Sequence, residues 1–394
     1  MKNIAVLFGG QSVEHEVSII TGMQIIENMD KDKYRPIPVY IDKKGQWLGG
    51  DCLRDFKTFK EGDLSKAERV YFKAQAGDHK LYTKRQGQGG FFSKATEEEV
   101  VFAEVDFVFP ALHGTYGEDG KVQGLLDILN IAYGGAATSS AALGMDKVLM
   151  KEIFIAKGLP VLDYTYYYRS DYEKDPKGVI KKIEDLGYPV FVKPANLGSS
   201  IGISKVKNRE GLGEAMDLAQ AYDRKIIVER AAKKPREINA AVLGFEGDLE
   251  VSACEEPLGW KEFLNYEDKY IHNGKAGKGS GAKTTSQNRR IPADLDKGLR
   301  KEIESLAKKA FKAIDGAGTA RIDFLVEGDQ VYINEINTLP GSLGFYLWEA
   351  KGLSFKDLIS RVIEIGEMRA HQEANKLTHF DAKLLERTGY GSKL

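Results

Sequence analysis

"ARIDFLVEGDQVYINEINTLPG", Ala320–Gly341, is the stretch on which the reading of this chain turns. Two runs of alternating residues flank a turn-forming "EGD", the pattern of two antiparallel strands with one polar face. Alternation places Arg321 and Asp323 on one face of the first strand, and Glu335 and Asn337 on one face of the second. Four polar groups on otherwise apolar strands are unfavourable unless they are used. Oxygen ligands of this type suit Mg²⁺, which usually takes one or two carboxylates and leaves its other positions to phosphate and water. The competing reading is a structural ion pair between Arg321 and a carboxylate.

Upstream of this hairpin the same series contains strands "EINAAVLG" and "LEVSACEEP", a polar stretch over about 260–291 and a helix over about 293–314. An earlier αβ series begins at "YTYYY". It continues through a helix over about 176–186, strand "YPVFVKP", a glycine turn, strand "IGISKV", a helix to about 221 and strand "KIIVERA". Before that, "MDKVLMKEIFIAKGLP" is an amphipathic helix stopped by Gly158 and Pro160. The first 140 or so residues alternate strands ("IAVLFGG", "RPIPVYI", "VDFVFPAL", "NIAYGG") with helices ("EHEVSIITGMQIIENM", "DGKVQGLLDIL"). Such alternation predicts an α/β domain with a largely parallel sheet, whose ligands sit at the carboxyl ends of the strands. Gly9, Gly10 and His113 fall on that rim.

A chain of 394 residues is long for one core, so two or three domains are expected. With 42% hydrophobic and 29% charged residues and a net charge of −1, overall charge supports neither a nucleic-acid nor an acidic-membrane partner. Cys52 and Cys254 lack metal-type spacing and fit a reducing compartment, and the N-terminal apolar run is too short for a secretory or membrane segment. The expectation is a cytoplasmic protein. His15, His79, His272, His371 and His379 show no ligand spacing either.

"GKAGKGSGAKTT", Gly274–Thr285, resembles a phosphate-binding P-loop but misplaces its second glycine and lies between no strand and helix. "VFVKPANLGSSIGIS" is the stronger phosphate candidate: Lys193 ends a strand, and the turn Gly198–Ser199–Ser200 offers backbone N–H groups and two hydroxyls. A plain hairpin is the other reading. In "ALHGTYGEDGKVQG", His113 is placed to meet a substrate, while Glu118 and Asp119 are expected to cap the following helix. Glu14 sits near the start of the first helix, where dipole effects alone favour an acid.

"LFGGQSVEHEVS", "HGTYGEDGKVQG", "VKPANLGSSIGIS" and the Ala320–Gly341 hairpin occur in an order that resembles the D-alanine–D-alanine ligases of the ATP-grasp superfamily, over about residues 3–368. The resemblance implies an α/β, three-domain ATP-grasp architecture: a Rossmann-like, parallel-sheet substrate domain (1–144), two subdomains closing on ATP (145–227 and 228–370) and a tail (371–394). It implies a homodimer that uses ATP and two Mg²⁺ ions, or Mn²⁺, to join two D-alanine molecules for peptidoglycan through an acyl phosphate. Asp323, Glu335 and Asn337 would hold the metal, and Arg321 would steady the developing oxyanion. Lys147 in "GMDK" and Lys193 would reach phosphate, with Gly198 and Ser200 beside them. Glu229, Arg230 and Ala232 of "VERAA" would form the adenine hinge, and Glu237 would meet the ribose. Glu14, linked through Ser199 to Tyr270, would take the donor's ammonium, and His113 would lie near its carboxylate. Lys269 and Tyr270 in "NYEDKY" match the lid, and Gly341 and Ser342 would line the second-substrate site.

Two departures stand out. The lid is long and rich in Gly and Lys, and "SLGFYLW" places Leu343 and Tyr346 where the family usually has Thr and Ser. Other acceptors such as D-serine, or a silent ATP-binding regulator, are the alternatives; a dinucleotide oxidoreductase is disfavoured because "GGQSVEH" lacks G-x-G-x-x-G spacing.

Overall fold

A computed structural model describes residues 1–86, 97–258, 289–377 and 380. The strands are β1 (Lys2–Gly9), β2 (Tyr34–Ile41), β3 (Trp47–Gly49), β4 (Glu68–Arg69), β5 (Tyr71–Phe72), β6 (Lys80–Gln86), β7 (Glu97–Glu104) and β8 (Phe107–Pro110). Next come β9 (Tyr164–Tyr168), β10 (Val190–Pro194), β11 (Ser204–Val206), β12 (Lys225–Arg230), β13 (Arg236–Phe245), β14 (Asp248–Val251), β15 (Glu256–Pro257), β16 (Arg289–Arg290), β17 (Ala317–Glu327) and β18 (Gln330–Asn337). They form three main sheets, ordered β4-β3-β2-β1-β8, β11-β10-β12-β9 and β14-β13-β17-β18.

In the first sheet β1 runs parallel to β2 and β8, while β3 and β4 extend the edge antiparallel. The sheet is therefore mixed around a parallel centre. Alternate residues of β1 are buried on both faces, Ile4, Val6 and Phe8 in one core and Ala5 and Leu7 in another, which explains its unbroken apolar run. "NIAYGG" forms a single bridge between Tyr133 and Val108 instead of the expected strand. Its chain turns away at Gly135, whose φ of +88° ends any extended ladder.

The second and third sheets are antiparallel throughout. Helix Lys147–Ala156 lies between them: Val148 packs with Ala195 and Ile227, and Met150 and Phe154 pack with the third sheet. Helix Phe355–Ala374 carries Leu358, Val362 and Ile363 into the core beneath Phe8 and Phe107, tying the end of the chain to its beginning. The P-loop-like stretch, Lys269 and Tyr270 lie outside the described residues, as do His272 and His379.

Candidate active site

Loops at the ends of the first two sheets meet around Glu14. It is buried at the N-cap of helix His15–Asn28, and the Ser199 hydroxyl donates to its Oε1. Two glycines make room for it: a Cβ on Gly114 would lie 2.6 Å from Glu14 Oε2, and one on Gly198 would lie 2.7 Å from it. The second sheet's turn thus presses directly on the first sheet's rim. Ser199 and Ser200 both hold positive φ, +54° and +57°, a backbone shape of the kind that gathers N–H groups toward an anion.

Asp146 accepts from the N–H groups of Val148 and Leu149 and so caps the helix that begins at Lys147. Lys147 is thereby aimed into the cleft. Its ammonium donates to the Leu197 carbonyl at 2.8 Å and lies 3.5 Å from Glu335 Oε2, spanning the second and third sheets.

The hairpin behaves as its alternation predicts. Arg321 pairs with Asn337 and Asp323 with Glu335 across β17 and β18, with a bulge just after Asp323. Arg321 forks onto Asp323 through bonds of 2.6 and 2.7 Å, and Asn337 Nδ2 donates to Asp323 Oδ2 at 3.2 Å. Burial opposes a charge on Arg321, but Asp323 outweighs it and holds the guanidinium protonated. Two carboxylates on directly paired strands plus an amide are hard oxygen donors, so the residues present fit Mg²⁺, which would fill its other positions with phosphate and water.

Lys193 does not stand alone. Glu229 is buried, and its carboxylate takes Lys193 on one oxygen and Lys151 on the other, the latter at 2.8 Å. Burial pushes the Glu229 carboxyl up, yet the two ammonium groups overcome it and bring it down to about 2. Arg230 forks onto Glu327 at 3.0 and 3.3 Å, so its side chain serves the framework. Ala232 lies half-buried just past β12, and Glu237 sits on β13 opposite Leu325.

His113 is 3% exposed, and burial lowers its pKa to about 4, so the ring is neutral at physiological pH. Its Nε2 is 2.8 Å from Thr21 Oγ1. Glu118 departs from the capping role expected of it: its Oε2 accepts from the Gly114 N–H at 2.7 Å and it also bonds the Leu339 backbone, while Gly120 occupies the N-cap. Burial, with Glu14 adding, raises the Glu118 carboxyl to about 8. Asp119 does bond the first helical N–H, that of Lys121, at 3.3 Å.

Of the two departures near Gly341, Leu343 is fully buried in the core with Trp348 and Leu358. Tyr346 faces the site: its hydroxyl donates to Glu255 Oε2 at 3.1 Å, Arg289 covers its ring at 4.7 Å, and Arg289 also reaches Glu255 at 3.2 Å. Lys151, Thr21, Glu255 and Arg289 were not singled out from the sequence. Lys151 had a usable signal, since it follows Lys147 by four residues and so shares its helix face.

Family models described as "D-ala D-ala ligase N-terminus" and "D-ala D-ala ligase C-terminus" match residues 3–136 and 153–364. The chain belongs to the D-alanine–D-alanine ligase family. It is 39% identical to the D-alanine–D-alanine ligase of Thermosipho melanesiensis over 388 residues, covering 98% of this chain and 99% of that one. It is 41% identical to that of a Thermoanaerobacter species over 387 residues, 94% and 98% of the two chains. Among solved structures, the D-alanine–D-alanine ligase from Coxiella burnetii matches with TM-score 0.75 and 30% identity, covering 95% of this chain and 96% of its own. The VanG D-Ala:D-Ser ligase from Enterococcus faecalis matches with TM-score 0.75 and 28% identity, covering 93% and 99%. The family's ATP-grasp fold accounts for the two antiparallel sheets that flank Lys147 and Glu229.

Proposed function

We propose that this cleft joins two D-alanine molecules into D-alanyl-D-alanine at the expense of ATP, for cell-wall synthesis, through an acyl phosphate. The observation that carries the reading is Lys147, whose one ammonium bridges the Gly198–Ser200 turn region and Glu335, the two places where phosphate and metal would meet. Lys147 and Lys193 receive ATP's phosphates, with Gly198, Ser199 and Ser200 lining the turn; the Glu229, Arg230 and Ala232 segment and Glu237 border the nucleoside.

Asp323, Glu335 and Asn337 hold Mg²⁺. When bound, the metal neutralises charge on the transferring phosphoryl group. Glu14, already carrying the Ser199 hydroxyl, takes the donor's ammonium. The donor carboxylate attacks the γ-phosphorus and displaces ADP, forming the acyl phosphate; the second amine, as the free base, then attacks the acyl carbon, gives up a proton to solvent and expels inorganic phosphate. Arg321 faces the oxygen that becomes negative and stabilises it electrostatically. Neutral His113 shapes the wall between Thr21 and Leu339. Gly341 and Ser342 border the second subsite, with Tyr346 as its far wall. Unpaired Cys52 and Cys254 support a reducing compartment, the cytoplasm, and the homodimer is inferred from the likeness to the family.

The test is phosphate release from ATP with single and paired D- and L-amino acids. Release with D-alanine and recovery of D-alanyl-D-alanine is expected. If no amino acid, alone or paired, stimulates release, the reading fails.

A further inference from the structure

The backbone just beyond β18 is held by side chains that come from the opposite end of the sequence. Ser342 N–H donates to Thr21 Oγ1 at 3.1 Å, and the Ser342 hydroxyl donates to Gln24 Oε1 at 2.5 Å. Thr21 is fully buried and also lies 2.8 Å from His113 Nε2. Its oxygen accepts from Ser342 and keeps a hydrogen to give; with a ring N–H donated to the Leu339 carbonyl from Nδ1, Nε2 is the nitrogen that accepts that hydrogen. The ring's second contact, to the Leu339 backbone, favours the protonated form, as a bond donated to a carbonyl does. The Leu339 backbone contact with Glu118 favours the carboxylate, as an N–H donor does, and Glu118 is anchored in turn by the Gly114 N–H at 2.7 Å.

This grip falls on a backbone that would not hold its shape unaided. Ser342 and Leu343 have φ of +51° and +56°, followed by Gly344 at +62°, three consecutive left-handed residues of which two are not glycine. L-residues disfavour that region, and such geometry persists only where the surroundings over-determine it. The loop so held begins four residues after Asn337 and ends two before Tyr346, the residue that faces Arg321 and Glu255.

We propose that Thr21 and Gln24 are positioning residues for the second amino acid: with His113 and Glu118 they clamp the Leu339–Leu343 backbone and so set the acceptor subsite. The inference rests on the ligase reading and on Gly341 and Ser342 bordering that subsite. Gln24 makes no bond to Glu14, Lys147, Lys193 or His113 among the contacts above, whereas Thr21 also bonds His113, expected near the donor's carboxylate. The two halves of the reaction should therefore respond differently.

Thr21→Val keeps the shape and removes both bonds, Thr21→Ser keeps the hydroxyl, and Gln24→Leu, on a half-buried residue, removes the Ser342 bond with little risk to folding. Each full-length variant is assayed twice. Hydroxamate formed from D-alanine, ATP and hydroxylamine reads the donor half alone, since hydroxylamine takes the place of the second amino acid. Dipeptide formation against D-alanine concentration reads both halves. Thr21→Val and Gln24→Leu are expected to raise the KM for the second D-alanine about tenfold, the worth of a lost hydrogen bond. Hydroxamate formation by Gln24→Leu should stay within about twofold of wild type, and Thr21→Ser should restore the dipeptide KM lost in Thr21→Val. Equal losses in both assays for Gln24→Leu, or no change in the dipeptide KM of either variant, would overturn the clamp. A wild-type protein that forms neither product overturns the ligase reading instead.

Discussion

Arg321 and Asp323 are locked together by two parallel hydrogen bonds, Nε to Oδ1 at 2.6 Å and Nη2 to Oδ2 at 2.7 Å. They are two residues apart on β17, so their side chains leave the same face. The proposed oxyanion cation and a proposed metal carboxylate are therefore one electrostatic unit. Glu335, on the paired strand, lies instead 3.5 Å from the Lys147 ammonium, a longer contact without a fork.

That difference separates two substitutions that sequence alone would treat alike. Asp323→Asn strands the Arg321 charge, whose side chain is only 24% exposed, and should lower stability by about 2 kcal/mol, less than a fully buried pair would lose. Glu335→Gln breaks a longer contact, at 3.5 Å, and leaves the Lys147 ammonium its bond to the Leu197 carbonyl, so stability should change by about 1 kcal/mol or less. Both should depress turnover by about a hundredfold or more. Denaturant titration beside steady-state rates checks the contrast; equal stability losses would mean the fork is not the tighter link.

Glu229 holds two cations at once, so its neutralisation should be felt at both. In Glu229→Gln, Lys151, with a fully buried side chain, keeps no carboxylate, and stability should fall by about 3–5 kcal/mol. Lys151→Met leaves Glu229 to Lys193 alone. The freed carboxylate then binds Lys193 more strongly, and the KM for ATP should rise several-fold while that for D-alanine stays put. An unchanged ATP KM would show that Lys193 does not exchange Glu229 for phosphate.

The hairpin was legible because period-two alternation is a local property: the sides of Arg321, Asp323, Glu335 and Asn337 follow from spacing, and the observed register merely pairs them. The Glu14–Ser199 link was reached only through resemblance, and the clamp not at all. Thr21 and Ser342 are 321 positions apart, and nothing in "SIITGMQII" marks one threonine as the hydroxyl that meets a distant loop. Glu118 was misread for the same reason: an acid before a helix looks like a cap until the fold brings Leu339 to it. "NIAYGG" shows the converse failure, since a short apolar run cannot report whether a neighbouring strand is there to pair with.

Glu118 also predicts a pH dependence. Its carboxyl is raised from 4.5 in the unfolded chain to about 8, by burial first and then by Glu14, against the Gly114 and Leu339 N–H groups and Lys147, which lower it. Below the unfolded value both states are protonated and its contribution is fully present. As pH rises from about 4.5 to about 8 the unfolded state ionises first, and that contribution is lost. Glu118→Gln should therefore flatten the fall of Tm across this window. A variant whose Tm falls with pH as steeply as wild type would assign the dependence to another group.

Tyr346 is predicted to govern what the proposed second subsite accepts. Burial, with Glu255 adding, raises its pKa to about 12, so it stays a neutral hydroxyl, and the bond to Glu255 with Arg289 stacked on the ring fixes the side chain as a rigid wall facing Arg321. Tyr346→Ser, the residue usual in the family, removes the ring and should admit D-amino acids bulkier than D-alanine as acceptors, with dipeptide yield from D-alanine reduced. Tyr346→Phe removes only the hydroxyl. If the wall acts by volume, it should leave acceptor choice unchanged while raising the KM for the second D-alanine no more than about tenfold, the worth of one hydrogen bond. Competition between D-alanine and a series of longer D-amino acids, read as mixed-dipeptide ratios, decides between the two. A Tyr346→Ser enzyme with the wild-type ratio would place the selecting wall elsewhere.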